Sequence, residues 1–296
     1  MKVLLFGAGG QVGSDCAQAL VDAGYDVYAL TRQDADFSKA QSAANKVDEL
    51  KPDIVINACA YTAVDKAEDE KALADSVNHQ SVAEMASACE SLAIPLLHLS
   101  TDYVFDGASK MPYCEDDNVN PLGVYGATKL AGEKAIQQNV SRYIILRTSW
   151  VFGEHGNNFV KTMLRVGATR NELKVVDDQF GRPSYVGDIV DTLLFFVARY
   201  QTDKSLPWGV YHCCSEGQTS WHGFAQTIFE LALECGLISA KPKVLPIPSI
   251  EYPTPAPRPA FSVLATDKLS RVMGGALPHW REGLSKFLQH EKLKIN

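Results

Sequence analysis

The sequence has no run of basic residues, and its formal net charge is −7. A nucleic-acid surface needs clustered cations, so that class of partner is not expected. No apolar stretch approaches the roughly 20 residues needed to cross a bilayer. The opening MKVLLFGAGG is apolar only from Val3 to Phe6 before glycines end it, so it reads as a buried strand and not as a leader. Cysteine is scattered and odd in number, seven in all, with no C-x-x-C. Such usage argues against a disulfide framework. The seven histidines show no ligand spacing, and adjacent Cys213 and Cys214 are a weak metal signal, so no metal is expected. Internal repeats and low-complexity tracts are missing as well. These absences leave a cytoplasmic protein with neither a membrane nor a nucleic acid as partner.

What is present is a chain of 296 residues, 46% hydrophobic, long enough for a large core. Its first half alternates short apolar runs with helical patterns. KVLLFGA, DVYAL, DIVINACA, PLLHLST and RYIILRTS read as strands. QVGSDCAQALVDAG, SKAQSAANKVDELKP, KALADSVNHQSVAEMASACESLA and VYGATKLAGEKAIQQN read as the helices between them. Apolar strands alternating with helices predict an α/β fold with a doubly wound parallel sheet, a Rossmann domain. This domain is expected over residues 1–152. Residues 153–296 are expected to form a smaller substrate domain, with some segments returning to the first. A segment with six prolines in 16 residues, PIPSIEYPTPAPRPAF, reads there as an extended wall over a site.

The turn after the first strand is GAGGQVG, with Gly7, Gly10 and Gly13 spaced G-x-x-G-x-x-G. Glycines let backbone N–H groups approach a pyrophosphate, and the following helix offers its positive end. A dinucleotide is the expected ligand. At the end of the second strand, NAD sites commonly present an acid to the ribose 2′-hydroxyl. Here Thr31 stands in that place and Arg32 follows, a pair better suited to a 2′-phosphate. NADPH is therefore the expected cofactor, with NADH as a weaker alternative. Asp36 and Phe37 are candidates to flank the adenine. The small residues of NACAYT, 57–62, allow close approach of the cofactor.

Within VYGATKLAGEKAI, Tyr125 precedes Lys129 by four residues, so one helix face carries both, a turn apart. A phenol titrates near ~10 and is a poor acid at neutral pH, and a neighbouring ammonium favours its phenolate. A solvated face bearing an ordinary Tyr and Lys is the alternative for this pair taken alone.

Seven segments in order resemble the dTDP-4-dehydrorhamnose reductase branch of the extended short-chain dehydrogenase/reductase family. They are GAGGQVG, NACAYTAVDKAE, STDYVFDG, YGATKLAGE, RTSWVFGEHGNNFVKTM, DDQFGRPS and PTPAPRPAFSVLATDKL. The resemblance implies that Thr101, Tyr125 and Lys129 form a catalytic triad. Tyr125 would give a proton to the carbonyl oxygen, Lys129 would hold the nicotinamide ribose and tune the tyrosine, and Thr101 would bond the developing alkoxide. It also implies cofactor contacts at Gly10, Gln11, Val12, Ala60, Tyr61, Thr62 and Leu99. Thr101, Asp102 and Trp150 match substrate contacts, and Arg258 is a candidate for the diphosphate. The implied reaction is reduction of the 4-keto group of dTDP-4-dehydro-L-rhamnose to dTDP-L-rhamnose, for surface polysaccharide. Some members dimerise around magnesium held by glutamates. Only Asp15 resembles such a ligand here, so the metal is not expected, and a homodimer stays open. Tyr103 stands where a dehydratase carries glutamate, and Thr31–Arg32 argues against an NAD-retaining epimerase. A regulatory subunit of the methionine adenosyltransferase β type remains the non-catalytic alternative. The nucleotide base and the configuration at carbon 4 are not read from these residues.

Overall fold

A computed structural model describes residues 1–294. Its centre is a parallel six-stranded sheet. Five strands come from the first half: β1 (Lys2–Phe6), β2 (Asp26–Leu30), β3 (Ile54–Asn57), β4 (Leu96–Thr101) and β5 (Tyr143–Thr148). The sixth, Gly209–His212, pairs with β5, and the order across the sheet is Gly209–His212, β5, β4, β3, β1, β2. Side chains alternate between faces along each strand. Val3 and Leu5 face one apolar cluster, while Leu4 and Phe6 face the other.

Helix α1 (Gln11–Asp22) and helix Val186–Asp203 cover the first face. Helix α2 (Ser42–Leu50) and helices Ser81–Ser91 and Val124–Asn139 cover the second. The chain leaves β1 for β2 on one side and then crosses to β3 on the other. That reversal opens a crevice beyond the carboxyl ends of β1 and β3, where open α/β sheets bind ligands. The link from β5 to Gly209–His212 travels in the same direction as β3 to β4, yet its helix lies on the opposite face. It is therefore a left-handed crossover, against the hand that nearly all such units adopt.

Residues from Val151 onward build the second, less regular part. Helix Phe159–Gly167, helix Trp221–Glu234 and helix Trp280–Leu293 enclose a separate aromatic core with Phe152, Phe224 and Phe287. Lys243–Ile247, which runs into the start of the proline-rich region, is a strand parallel to Glu172–Val176. Helix Val186–Asp203 and strand Gly209–His212 rejoin the large sheet, so the chain passes between the two parts more than once.

The run Lys71–Ser91 is helical throughout, but Ser76–Gln80 widens into one π-helical turn. Such turns often sit at functional sites. This one turns Asn78 inward. Its Oδ1 accepts from the Tyr61 backbone N–H at 2.8 Å, and its Nδ2 donates to the Tyr61 carbonyl at 3.1 Å and to Thr128 Oγ1 at 3.2 Å. A Cβ at Gly132 would meet the Asn78 carbonyl oxygen at 2.2 Å, so only glycine lets the two helices approach this closely.

Candidate active site

The glycine turn forms a cradle with no room for side chains. Gly7 has φ of +84° and a Cβ there would meet the Ala58 backbone at 2.7 Å, while one at Gly13 would meet the Gly7 carbonyl oxygen at 2.0 Å. From this cradle a cleft of about 760 Å³ runs toward Thr31, Arg32, Asp36 and Phe37. A second cleft of about 470 Å³ runs the other way, past Gln11, Val12, Thr62 and Leu99 to Thr101, Asp102, Tyr125, Lys129 and Trp150. The two share Gly10, Ala58 and Ala60, so they form one groove across the strand ends. Its length, cradle and cation at one rim fit a phosphorylated dinucleotide.

At the far rim, Thr31 Oγ1 donates to Asp34 Oδ2 at 2.8 Å. Arg32 stands 3.5 Å from Asp36 with its side chain 77% exposed. Phe37 borders the cleft, but it is buried and packs edge-on against Phe6, so it is mainly a core residue. Tyr61 also lines this cleft, with its hydroxyl donating to Glu70 Oε2 at 2.6 Å. Gln11 links the cradle to the second part of the molecule. Its Nε2 donates to the Val151 carbonyl at 3.2 Å, and its Oε1 accepts from Asn158 Nδ2 at 2.8 Å.

At the catalytic end, helix Val124–Asn139 has no side-chain cap of its own. The Glu68 carboxylate accepts the Val124 N–H at 2.9 Å instead, and its charge suits a helix N-terminus. Thr101 ends β4, caps the short turn Asp102–Val104, and donates to Asp102 Oδ1 at 3.1 Å. The Tyr125 phenol is pushed up to about 12 by burial, against the hydrogen bond from Thr101 that draws it down. Lys129 itself is drawn down to about 8 by burial, with the Glu133 charge opposing. Its Nζ donates to the Leu99 carbonyl at 2.7 Å and lies 3.1 Å from His98 Nε2. Burial also raises Asp102 to about 6, and its Oδ2 has no partner in the protein.

Trp150 serves both packing and the cleft. Its ring stacks on Trp221 with centroids 3.5 Å apart, and its backbone holds φ of 46°, an uncommon place for a bulky residue. Trp221 in turn lines a third cleft of about 350 Å³ with Phe159, Met163, Lys174 and Arg258. Arg258 does not stand free. Its Nη2 grips both oxygens of Asp65, at 2.9 and 2.8 Å, while its Nη1 is buried without a protein partner. Asp15 pairs with His155 at 3.1 Å. Among the described residues no group of three or more His, Cys, Asp or Glu side chains could hold a metal.

Residues 1–293 match the family model described as the RmlD substrate binding domain. A dTDP-4-dehydrorhamnose reductase of Burkholderia thailandensis is 43% identical over 286 residues, 95% of this chain and 96% of that protein. The chain belongs to the dTDP-4-dehydrorhamnose reductase family. The Escherichia coli K12 reductase is 42% identical over 97% of both chains. The crystal structure of the Bacillus anthracis reductase in complex with NADP has a TM-score of 0.89 at 36% identity, covering 98% of this chain and 99% of that one. A Thermus thermophilus UDP-glucose 4-epimerase with NAD, at 20% identity and a TM-score of 0.78, shares the fold.

The groove gathers every residue expected around the cofactor except Gly13, which supports the cradle from behind. Reading the sequence missed Asn57, Asn78, His98 and Asp65. Of these only Asn57 left a trace, as a polar residue closing an apolar strand in DIVINACA.

Proposed function

We propose that the chain reduces the 4-keto group of dTDP-4-dehydro-L-rhamnose to dTDP-L-rhamnose with NADPH. The convergence of Thr101, Tyr125 and Lys129 at one end of a groove that begins at a glycine cradle carries this reading. When bound, NADPH supplies the hydride for carbon 4. Tyr125 gives its phenolic proton to the carbonyl oxygen as negative charge builds there. Thr101, which lines the same cleft, would steady that oxygen by turning its hydroxyl from Asp102. Lys129 is held by the Leu99 carbonyl, from where it would hold the nicotinamide ribose.

The smaller part is the substrate side. The apolar walls of the third cleft, Phe159, Met163 and Trp221, suit a pyrimidine base, and Lys174 and Arg258 beside them suit a diphosphate. Stacked Trp150 and Trp221 join this cleft to the catalytic end, so Trp150 would meet the sugar. Tyr103, where an eliminating enzyme needs an acid, packs its ring edge-on to Tyr125 with centroids 5.5 Å apart, which favours simple reduction. The reaction belongs in the cytoplasm with its soluble substrates. A homodimer is the assembly for sedimentation velocity to test.

The purified chain should consume NADPH, followed by absorbance, when given dTDP-4-dehydro-L-rhamnose, and NMR of the product should show dTDP-L-rhamnose. Tight NADPH binding with no turnover would replace this reading by the regulatory-subunit one.

A further inference from the structure

The proline-rich wall is seated on both sides of Arg258. Pro257 packs on Gly123, where a Cβ would stand 3.6 Å from the proline Cδ. Pro259 packs on Gly107, where a Cβ would meet the proline ring at 2.6 Å. One residue further, the Ala260 carbonyl accepts the Phe180 backbone N–H at 2.9 Å. Each proline also fixes its own φ. The backbone around Arg258 is therefore set, and its long side chain is the part that still has rotamers to lose.

Asp65 takes up that freedom. It stands in the helical turn Val64–Ala67, whose Val64 and Lys66 border the two clefts of the groove. Its Oδ1 accepts from the Ala256 backbone N–H at 3.2 Å and from Arg258 Nη2 at 2.9 Å, and its Oδ2 accepts from the same Nη2 at 2.8 Å. One carboxylate thus closes a ring over residues 256–258, from a segment 193 residues away. An exposed ion pair joining only two side chains would contribute little, but this one also holds backbone. The Arg258 guanidinium carbon lies 5.9 Å from the centre of the Tyr103 ring. A carboxylate and an aromatic ring together hold the guanidinium at the border of the third cleft, which Asp65 and Lys174 also line.

We propose that Asp65 is a positioning residue for the nucleoside diphosphate, holding Arg258 in the orientation that meets the phosphates. This assignment rests on the reading of the third cleft as the dTDP subsite. Asp65 engages only Nη2, so the guanidinium keeps other N–H donors for phosphate oxygens. An arginine ordered before the ligand arrives loses less entropy on binding than a free one. The charges agree with that role. Two cations, Lys174 and Arg258, stand against one carboxylate, so the cleft still attracts an anion while Asp65 stays paired. The same contact ties the substrate wall to the turn that borders the cofactor groove.

The test is a calorimetric titration of full-length variants with dTDP, with NADPH fluorescence to show that each is folded. Asp65→Ala should weaken dTDP about tenfold, the worth of one charge-assisted contact. In an Arg258→Ala background the same change should cause no further loss, because Asp65 acts through the arginine. A loss of equal size in both backgrounds marks a merely structural contact and overturns the proposal. Asp65→Asn keeps an oxygen for the Ala256 N–H but offers Nη2 one acceptor in place of two, so it should still weaken dTDP. Unchanged affinity in that variant overturns the proposal, and so does tighter binding, the mark of a competing anion. If Asp65→Ala does not fold, Asp65→Asn decides. Arg258→Ala alone separates the two readings. Unchanged dTDP affinity there removes the diphosphate subsite and the role of Asp65 with it, whereas weakened affinity with unaffected Asp65 variants removes only the role of Asp65. No turnover is needed, so failure here is distinguishable from failure to reduce a 4-keto sugar.

Discussion

At the far rim of the groove Arg32 stands 77% exposed and meets Asp36 across 3.5 Å, whereas at the catalytic end Lys129, Glu133 and Arg147 are buried. An exposed pair of the first kind contributes about 0–1 kcal/mol, so Arg32 is free to leave Asp36 for a stronger anion. The buried charges have no such freedom. Glu133 accepts from Arg147 Nε at 3.0 Å and Nη2 at 2.7 Å, and neither partner can be removed without stranding the other. One end of the groove carries an available charge, and the other holds its groups in fixed positions.

The largest expected effect is at the buried end. Tyr125→Phe removes one hydroxyl, so the fold and NADPH binding should survive while kcat falls by about 10²–10⁴, the usual contribution of a positioned acid. Steady-state kinetics beside fluorescence titration of NADPH would separate the two, and a near-normal kcat would discard Tyr125 as the acid. Next, Arg147→Ala leaves the Glu133 carboxylate buried and unpaired and should cost about 3–5 kcal/mol in a denaturant titration. Arg32→Ala, by contrast, should leave the denaturant midpoint unchanged.

Arg32→Ala should instead act on binding. Loss of one charged contact to a 2′-phosphate is worth roughly 1.5–3 kcal/mol, so KM for NADPH should rise about 10- to 150-fold with KM for NADH nearly constant. Equal losses for both cofactors would remove Arg32 from that role. A pH-dependent effect of similar size concerns Asp102. Its folded-state pKa is raised, so its contribution to stability is fully present below the unfolded value near ~4 and is lost as pH rises through about 6. Asp102→Asn should therefore stabilise the protein at pH 7 by about 3 kcal/mol, with the gain vanishing below pH ~4. Melting curves across that range check the sign.

The same contrast separates what could be read from the sequence. The strands, the glycine cradle and helix Val124–Asn139 follow from local signals: apolar runs, turn residues and i, i+4 spacing. Thr31 and Arg32 line the groove as expected of residues that directly follow a strand end in such a sheet. His98 was not. It sits in an apolar strand, and its partners lie 41 and 31 residues away, so only the register of β3 with β4 and the reach of Lys129 reveal it. Asn78 depends on a π-helical turn that the periodicity of its helix does not announce. Pro246 hid the strand Lys243–Ile247, because a proline within a run argues against a strand and this short pair has no second neighbour to contradict it. Arg258 was expected to wait for a diphosphate, but Asp65 occupies half of its guanidinium.

The left-handed path from β5 to the edge strand also orders events during synthesis. Five of the six strands of the large sheet have been synthesised by residue 148, yet the apolar side of α1, with Cys16 and Leu20, awaits the helix Val186–Asp203. Until then α1 alone covers part of that face of the nascent sheet. Exposed apolar surface of this kind draws chaperones or aggregates. The large sheet therefore matures only after the chain has traversed part of the second, less regular part, and neither part is born ahead of the other.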